Sequence, residues 1–284
     1  MKIVCTGKGK SMSIEKVYSK VIDLSKKTKP NVLYLGTPSY DSDNVYEIQT
    51  AGFRKAGCPI MKMNLSEVPI SRRTQGGSEE ENQIVYPTYE NMKKEVDKAD
   101  VVMVSGGNTL YGLQRWKKLG MDQILAEASK MTNGSPVFCG GSAGAICWFQ
   151  YGNSDSMNPS TFLNPDPEMT DEEKNNWDYI KISALGFLPA LCVPHYDALQ
   201  HNGLHRSVAS DVMVQEMSDF PCIGIEEEAA FVVEGDIVRV IDGSSNGNAK
   251  CYRKIFHSET QEMEILNLEE GGGSFSMSEL LCLN

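Results

Sequence analysis

The chain has 284 residues, of which 40% are hydrophobic and 23% are charged, and its formal net charge is −11. This composition is typical of a globular protein that buries its own core, and it excludes the fibrous and disordered classes. The acidic balance argues against a nucleic-acid partner, because phosphate backbones require a surface rich in lysine and arginine. No segment approaches the ~18 apolar residues of a membrane span, so we expect no membrane partner either.

The eight cysteines contain no Cys-x-x-Cys pair, and most of them lie in apolar runs. This pattern predicts reduced, buried thiols and not a zinc site or a disulfide framework. Cys147 follows shortly after Ser142, and for this thiol too burial is favoured over reactivity. The first ten residues, MKIVCTGKGK, are typical of a core strand and not of a signal peptide, so we expect a cytoplasmic protein.

The first half of the chain alternates apolar strands with helical segments. This alternation predicts a mostly parallel sheet sandwiched by helices, in which sites gather at the carboxyl ends of the strands. Two glycine pairs, Gly106-Gly107 and Gly140-Gly141, follow predicted strands and mark candidate sites, and a loop is predicted at Gln75–Glu81. The predicted strands are Lys2–Thr6, Asn31–Leu35, Ile60–Leu65, Val101–Val104 and Val137–Cys139.

The second half begins with a polar segment, Gly152–Asp178, which we interpret as an inserted loop at a pocket rim. A helix near Leu204–Met217 and several strands follow it. The last three strands suggest an antiparallel edge of hairpins, the first joined at residues 234–236. We therefore predict one α/β domain over residues 1–284, with antiparallel strands added toward the C-terminus and an extension from about residue 243. The strands predicted here are Ile180–Ile182, Leu188–Val193, Cys222–Ile225, Ala229–Val233, Ile237–Ile241 and Lys250–Phe256.

A candidate nucleophile lies in the sequence Gly140-Gly141-Ser142-Ala143-Gly144, which fits the G-x-S-x-G pattern. An apolar strand precedes it, and a run that can open a helix, Ala143–Phe149, follows it. In a nucleophile elbow of this kind, the Ala143 amide points toward the oxyanion that forms when the serine attacks a carbonyl, and the helix N-terminus adds a favourable dipole. The alternative is a glycine-rich turn whose serine only caps a helix.

The best candidate for the base that activates Ser142 is His195, which follows the apolar run Leu188–Val193. His201 and His205 are spaced for a metal site on one helix face, but the pattern lacks the glutamate of H-E-x-x-H. We therefore predict neither a metal nor a cofactor, and we interpret His257 as structural.

The base needs a carboxylate that fixes its tautomer, and the spacing of the acidic residues does not choose one. Asp197 is two residues from the histidine, and Asp155 follows the predicted nucleophile helix. The run Glu226–Glu228 follows the strand at 222–225, although three consecutive glutamates are more often a solvated turn.

Four motifs occur in order: Ser-Gly-Gly-Asn at 105–108, Gly-Gly-Ser-Ala-Gly-Ala at 140–145, Pro-His-Tyr-Asp at 194–197 and Gly-Ile-Glu-Glu at 224–227. Together they resemble the serine peptidase family of aspartyl dipeptidase (peptidase E) and cyanophycinase. The resemblance implies a fold like that of class I glutamine amidotransferases, with serine in place of their elbow cysteine. It also implies Ser142 as the nucleophile and His195 as the base.

The same resemblance implies further site residues. The acid of the family falls on Glu227, and a second acidic position falls best on Asp155. Gly107 would supply the other oxyanion amide. Arg206 matches an arginine that would bind the N-terminal aspartate of a substrate, and Asn108 is a second candidate substrate-binding residue.

These observations predict a cytoplasmic serine dipeptidase or exopeptidase that prefers an N-terminal aspartate and needs no cofactor. A second possibility is cyanophycinase-like hydrolysis of β-aspartyl-arginine peptides. A third is a non-catalytic member that kept the fold and binds a ligand. The expected partner is a small peptide substrate, and the sequence leaves open whether the protein forms a homodimer.

Overall fold

The computed structural model of the chain describes residues 1–67, 86–131, 134–199 and 203–282. The predicted loop at Gln75–Glu81 and the side chain of His201 lie outside these residues. Among the helices in the described ranges, none is both long enough and apolar enough to cross a bilayer.

The first sheet has eight strands in the described part of the chain, five parallel on one side and three antiparallel on the other. The parallel strands are β1 (Lys2–Thr6), β2 (Val32–Leu35), β3 (Ile60–Met63), β4 (Val101–Val104) and β5 (Val137–Gly141), and the antiparallel ones are β10 (Ala229–Glu234), β11 (Ile237–Asp242) and β14 (Phe275–Ser276). The strand order is β14-β11-β10-β1-β5-β4-β2-β3, so the antiparallel strands extend the sheet beyond β1.

Helices cover both faces of this sheet, as the sequence predicts. The residues of strands β2, β4 and β5 are all buried. Their apolar side chains pack on both faces of the sheet, into two separate core clusters. The helices are α1 (Glu15–Ser25), α2 (Asp43–Gln49), α3 (Ala51–Lys55), α4 (Tyr89–Lys98), α5 (Thr109–Leu119), α6 (Met121–Ser129), α7 (Ala143–Ile146), α8 (Asp171–Asn175), α9 (Arg206–Ala209), α10 (Asp211–Glu216) and α11 (Met277–Leu280).

A second sheet of six strands lies within the described residues. The strands are β6 (Phe149–Ser154), β7 (Ile180–Ser183), β8 (Leu188–Val193), β9 (Cys222–Ile225), β12 (Cys251–His257) and β13 (Glu262–Leu268). Their order in the sheet is β13-β12-β9-β8-β6-β7. No local pattern in the sequence predicts that these strands leave the first sheet. The strand predicted at Lys250–Phe256 was expected to continue the hairpins of β10 and β11, but β12 pairs with β9 and β13 instead.

The two sheets share one core, in which Phe149 of the second sheet packs 6.2 Å from Phe231 of the first, measured between ring centroids. The polar segment predicted from Gly152 begins inside β6 and becomes exposed chain only after that strand. All eight cysteines are free thiols, and seven of them are buried.

Candidate active site

The nucleophile candidate, Ser142, stands at the carboxyl end of β5, which lies between β1 and β4 in the middle of the first sheet. Its backbone has φ 56° and ψ −120°, a conformation that L-residues rarely adopt and that is a feature of nucleophile elbows. The Ser142 N–H donates to the carbonyl of Thr6 on β1 at 3.1 Å, which ties the turn to the sheet. Two residues after the serine, position 144 has room only for glycine, because a Cβ there would lie 2.2 Å from the carbonyl oxygen of Val104.

The helix after the serine is shorter than the sequence predicts. The run Ala143–Phe149 forms a single turn, α7, which ends at Ile146, because Phe149 already begins β6 and pairs with Leu188. One turn carries little of the macrodipole that was expected to assist the oxyanion. Any stabilisation of that charge must therefore come from individual N–H groups.

The imidazole of His195 links the nucleophile to an acid. Its Nε2 lies 3.0 Å from the Ser142 Oγ, and its Nδ1 lies 2.8 Å from Oε1 of Glu227. Because an ionised carboxylate only accepts hydrogen bonds, Nδ1 carries the proton and Nε2 is the acceptor for the serine hydroxyl. His195 also has a positive φ, 51°, at the turn that follows β8.

Glu227 is held by three groups. Its Oε1 accepts the histidine bond, its Oε2 accepts from Lys8 Nζ at 2.7 Å, and its own N–H donates to Oδ1 of Asp197 at 2.8 Å. The hydrogen bond from His195, assisted by Lys8, lowers the pKa of Glu227 to about 2 against the opposing effect of partial burial. The carboxylate therefore stays ionised at neutral pH and can stabilise an imidazolium.

Lys8 is a site residue that the sequence analysis missed. It lies just past the carboxyl end of β1, after Gly7, at the same edge of the sheet as Ser142, so the rule that singled out the glycine pairs also applies to it. Its partner is distant in sequence, and only the packing of β1 beside the 226–227 turn brings the two together.

The glycine turn after β4 faces the nucleophile. Gly107 has φ 137°, and a Cβ there would lie 2.2 Å from the carbonyl oxygen of Pro38, so only glycine fits. The Gly106 N–H donates a hydrogen bond to Oε1 of Gln49 at 3.2 Å. In the described ranges the N–H groups of Gly107 and Ala143 donate to no protein acceptor, which leaves them available to a substrate oxygen.

The profile of Peptidase family S51 matches residues 3–241 of the chain. The chain belongs to peptidase family S51. This is a family of serine peptidases with a class I glutamine amidotransferase-like fold, so both the resemblance and the fold class inferred from the sequence are confirmed. A Bacillus subtilis (strain 168) protein, "Uncharacterized peptidase YgaJ", is 33% identical over 250 residues, which are 86% of this chain and 86% of that protein.

Two solved structures share the fold of this S51 peptidase at low sequence identity. A peptidase from an acI-B1 Actinobacterium has a TM-score of 0.64 and 16% identity, over 97% of this chain and 96% of that one. A Listeria monocytogenes EGD-e protein provisionally assigned as a peptidase E has a TM-score of 0.53 and 15% identity, over 85% of this chain and 98% of its own.

Asp155 does not take part in the hydrogen-bonded chain of this S51 peptidase. Asp155 follows β6 and Glu227 follows β9, the two strands that flank β8 in the second sheet, but Nδ1 of His195 is hydrogen-bonded to Oε1 of Glu227. The Asp155 carboxylate instead lies 3.8 Å from NH1 of Arg206. The assignment of Asp155 as the orienting acid is therefore corrected to that of counter-ion to a buried arginine.

Arg206 is not presented to a substrate. Its residue exposure is only 2%, and its guanidinium donates to Oδ1 of Asn153 at 3.2 Å and to the Asn153 carbonyl at 2.6 Å. The ring of Tyr179 covers it at 4.5 Å. Nε and NH2 are already bound to Asn153, and NH1 faces Asp155 at 3.8 Å. The geometry therefore favours a structural role for Arg206, and its contact with an N-terminal aspartate stays a prediction.

Asn108 is also occupied by the fold. Its Oδ1 accepts from the Tyr111 N–H at 2.9 Å and caps α5. Its Nδ2 donates to the Ser156 carbonyl and to Oγ1 of Thr161, both at 3.0 Å. The amide thus ties the glycine turn to the segment after β6 and has no donor left for a substrate.

Metal ligands are not clustered in the described part of the chain: no group of three His, Cys, Asp or Glu side chains there could hold an ion. Nδ1 of His205 lies 3.1 Å from the carbonyl oxygen of Asp197, which is a structural contact. His257 pairs through Nε2 with Glu264 at 2.9 Å on the β12–β13 hairpin, remote in sequence from the elbow.

Proposed function

We propose that this S51 peptidase hydrolyses the amide bond of short peptides with Ser142 as nucleophile and acts as a dipeptidase or exopeptidase. The observation that carries the proposal is the continuous hydrogen-bonded chain from Ser142 through His195 to Glu227. Each link in it is 3.0 Å or shorter. This is the arrangement that raises the nucleophilicity of a hydroxyl at neutral pH.

In the first half-reaction the Ser142 oxygen bonds to the carbonyl carbon of the scissile amide while Nε2 of His195 takes the hydroxyl proton. The carbonyl oxygen becomes negatively charged and accepts hydrogen bonds from the N–H groups of Gly107 and Ala143. The C–N bond then breaks, and the amine leaves with the proton from Nε2. Throughout this step Glu227 remains ionised and stabilises the imidazolium.

In the second half-reaction a water molecule attacks the acyl ester, and Nε2 of His195 again accepts a proton. Breakage of the ester bond returns that proton to the Ser142 oxygen and releases the acid. Small substrates are favoured because the serine is half-buried between two close turns. A Cβ on Gly106 would lie 3.5 Å from the Ser142 Cβ, and one on Gly141 would lie 2.4 Å from the Lys8 carbonyl oxygen.

The preference for an N-terminal aspartate is the finer part of the proposal. It is supported by the sequence resemblance to aspartyl dipeptidase and by the fold shared with the Listeria protein assigned to peptidase E. Since Arg206 is buried and paired, the cation that would recognise the aspartate has to be a different group or an uncovered Arg206.

The test is hydrolysis of Asp-X, Glu-X, Ala-X and β-Asp-Arg dipeptides by the wild type, Ser142→Ala and Cys147→Ala. We expect Ser142→Ala to lose at least ~10⁴-fold in rate, as removal of a triad nucleophile does. Cys147→Ala is the matched control. Burial raises the pKa of this nearby thiol far above its ordinary value, so its loss should leave the rate nearly unchanged.

Equal rates for the wild type and Ser142→Ala would refute the serine mechanism. If neither protein cleaves any dipeptide and a fluorophosphonate fails to label the wild type, the protein is a non-catalytic member of its family.

A further inference from the structure

Gln49 is a buried amide with a fixed position next to the nucleophile. It is the last residue of α2, and only 7% of it is exposed. The hydroxyl of Ser13 shares its single proton between the carbonyl oxygens of Ile48 and Gln49, at 2.8 and 3.0 Å, and so holds the backbone at the end of the helix.

One half of the Gln49 amide has a protein partner. Its Oε1 accepts the Gly106 N–H, and because an N–H can only donate, this bond also fixes which end of the amide carries the nitrogen. In the described part of the chain, Nε2 donates to no protein acceptor. The nitrogen is also not sealed from solvent, in contrast to buried unpaired atoms such as Tyr34 Oη.

The free end of the amide borders the space in front of Ser142. A methyl group built on Gly106 would sit 3.4 Å from Gln49 Nε2 and 3.5 Å from the Ser142 Cβ, so both groups flank the same small volume. Gly9 also contacts the amide, since a Cβ there would come within 2.4 Å of Nε2. Two glycines thus leave room for this amide beside the nucleophile.

We propose that Gln49 contacts the substrate, with Nε2 donating a hydrogen bond to an oxygen on the acyl side of the scissile bond. The inference rests on the proposed function. An amide donor that no protein acceptor uses, held in place beside the nucleophile, can exchange a solvent contact for a hydrogen bond to a substrate oxygen. That oxygen is either the carbonyl oxygen that becomes charged or a side-chain oxygen of the acyl residue.

The test compares Gln49→Glu with Gln49→Met. Glutamate keeps an oxygen that accepts the Gly106 N–H but lacks the donor, whereas methionine lacks both. We expect Gln49→Glu to keep the melting temperature of the wild type and to lose about 10²- to 10³-fold in kcat/KM, as loss of one oxyanion donor does. Gln49→Met should lose at least as much activity and also melt at a lower temperature.

Labelling of Ser142 by a fluorophosphonate distinguishes the two oxygens, because this probe has an oxyanion-like oxygen but no amino-acid side chain. Slower labelling of Gln49→Glu assigns the bond to the charged carbonyl oxygen. Unchanged labelling with slower hydrolysis of Asp-X assigns it to the acyl side chain. Gly9→Ala, which displaces Nε2 by contact, should reproduce the loss of activity.

If Gln49→Glu matches the wild type in labelling and in hydrolysis, the amide only anchors Gly106 and the inference is wrong. That result leaves the serine mechanism intact. If the wild type itself neither cleaves a dipeptide nor is labelled, the proposed function fails, and the inference fails with it.

Discussion

Glu227 and Asp155 are two acids in nearly matching positions with different roles. They follow β9 and β6, the two strands that flank β8, whose end carries His195. Their side chains are 28% and 27% exposed, and each lies near a cation. Only Glu227 reaches the imidazole, whereas Asp155 turns toward Arg206. Exposure and charge therefore do not identify the acid of the site; the direction in which each strand end turns does.

The sharpest test of this comparison is the pair of isosteric variants Glu227→Gln and Asp155→Asn. We expect Glu227→Gln to lower kcat by about 10³- to 10⁴-fold, because the amide no longer stabilises the imidazolium or enforces its tautomer. Asp155→Asn should keep kcat within about threefold, since it touches no reacting group. Steady-state hydrolysis of the best dipeptide measures both values. A similar loss in the two variants would contradict the assignment.

Loss of Arg206 should act on folding and not on recognition. Arg206→Met removes the buried hydrogen bonds to Asn153 and the partner of Asp155, so we expect the free energy of unfolding to fall by about 1.5–3 kcal/mol. Urea unfolding measures this change. The ratio of KM for Asp-X to KM for Ala-X in the folded variant should stay at its wild-type value. A stable variant whose preference for aspartate disappears would return Arg206 to the substrate site.

Lys8 should support Glu227 without taking part in the chemistry. Lys8→Met removes the hydrogen bond to Oε2, so we expect kcat to fall by about three- to tenfold, with KM unchanged, as for loss of one partly exposed charge-assisted bond. Lys10→Met is the matched control, because this exposed lysine lies on the same short turn. Equal kcat values for the wild type and Lys8→Met would show that His195 alone holds the carboxylate.

The smallest expected effect is on stability at acid pH. The pKa of Glu227 is about 2 in the folded protein, below its ordinary value of 4.5, so its contribution to stability is fully present above about pH 4.5. It is lost as the pH falls toward 2. The difference in unfolding free energy between the wild type and Glu227→Gln should therefore be smaller at pH 3 than at pH 5. A difference that does not shrink would contradict the lowered pKa.

The parallel sheet and the elbow could be predicted because their signals are local. The alternation of strands and helices and the Gly-x-Ser-x-Gly turn each occupy a short stretch of chain. The sequence could not identify the acid that orients His195. Its position depends on the strand order β9-β8-β6 in a second sheet that no local pattern predicts. Lys8 and Gln49 were missed for the same reason, since each meets its partner across more than 50 residues of sequence.

Arg206 and Asn108 show the limit of transferring a motif. Both residues match the expected pattern in sequence, but their roles are determined by neighbours outside the motifs, Asn153 and the segment at 156–161. A residue can keep its place in a motif while its hydrogen bonds pass to the surrounding fold.

The left-handed backbone of Ser142 makes catalysis more fragile than the fold. A serine at φ 56° costs about 1–3 kcal/mol, and it persists because β5 and the bond to Thr6 hold the turn in place. When heating or a distant mutation loosens that support, the turn can relax to an ordinary conformation while the remaining sheet stays folded. Enzymatic activity is then more sensitive than circular dichroism to loss of order at the centre of the sheet. On heating, activity should be lost at a lower temperature than the secondary structure.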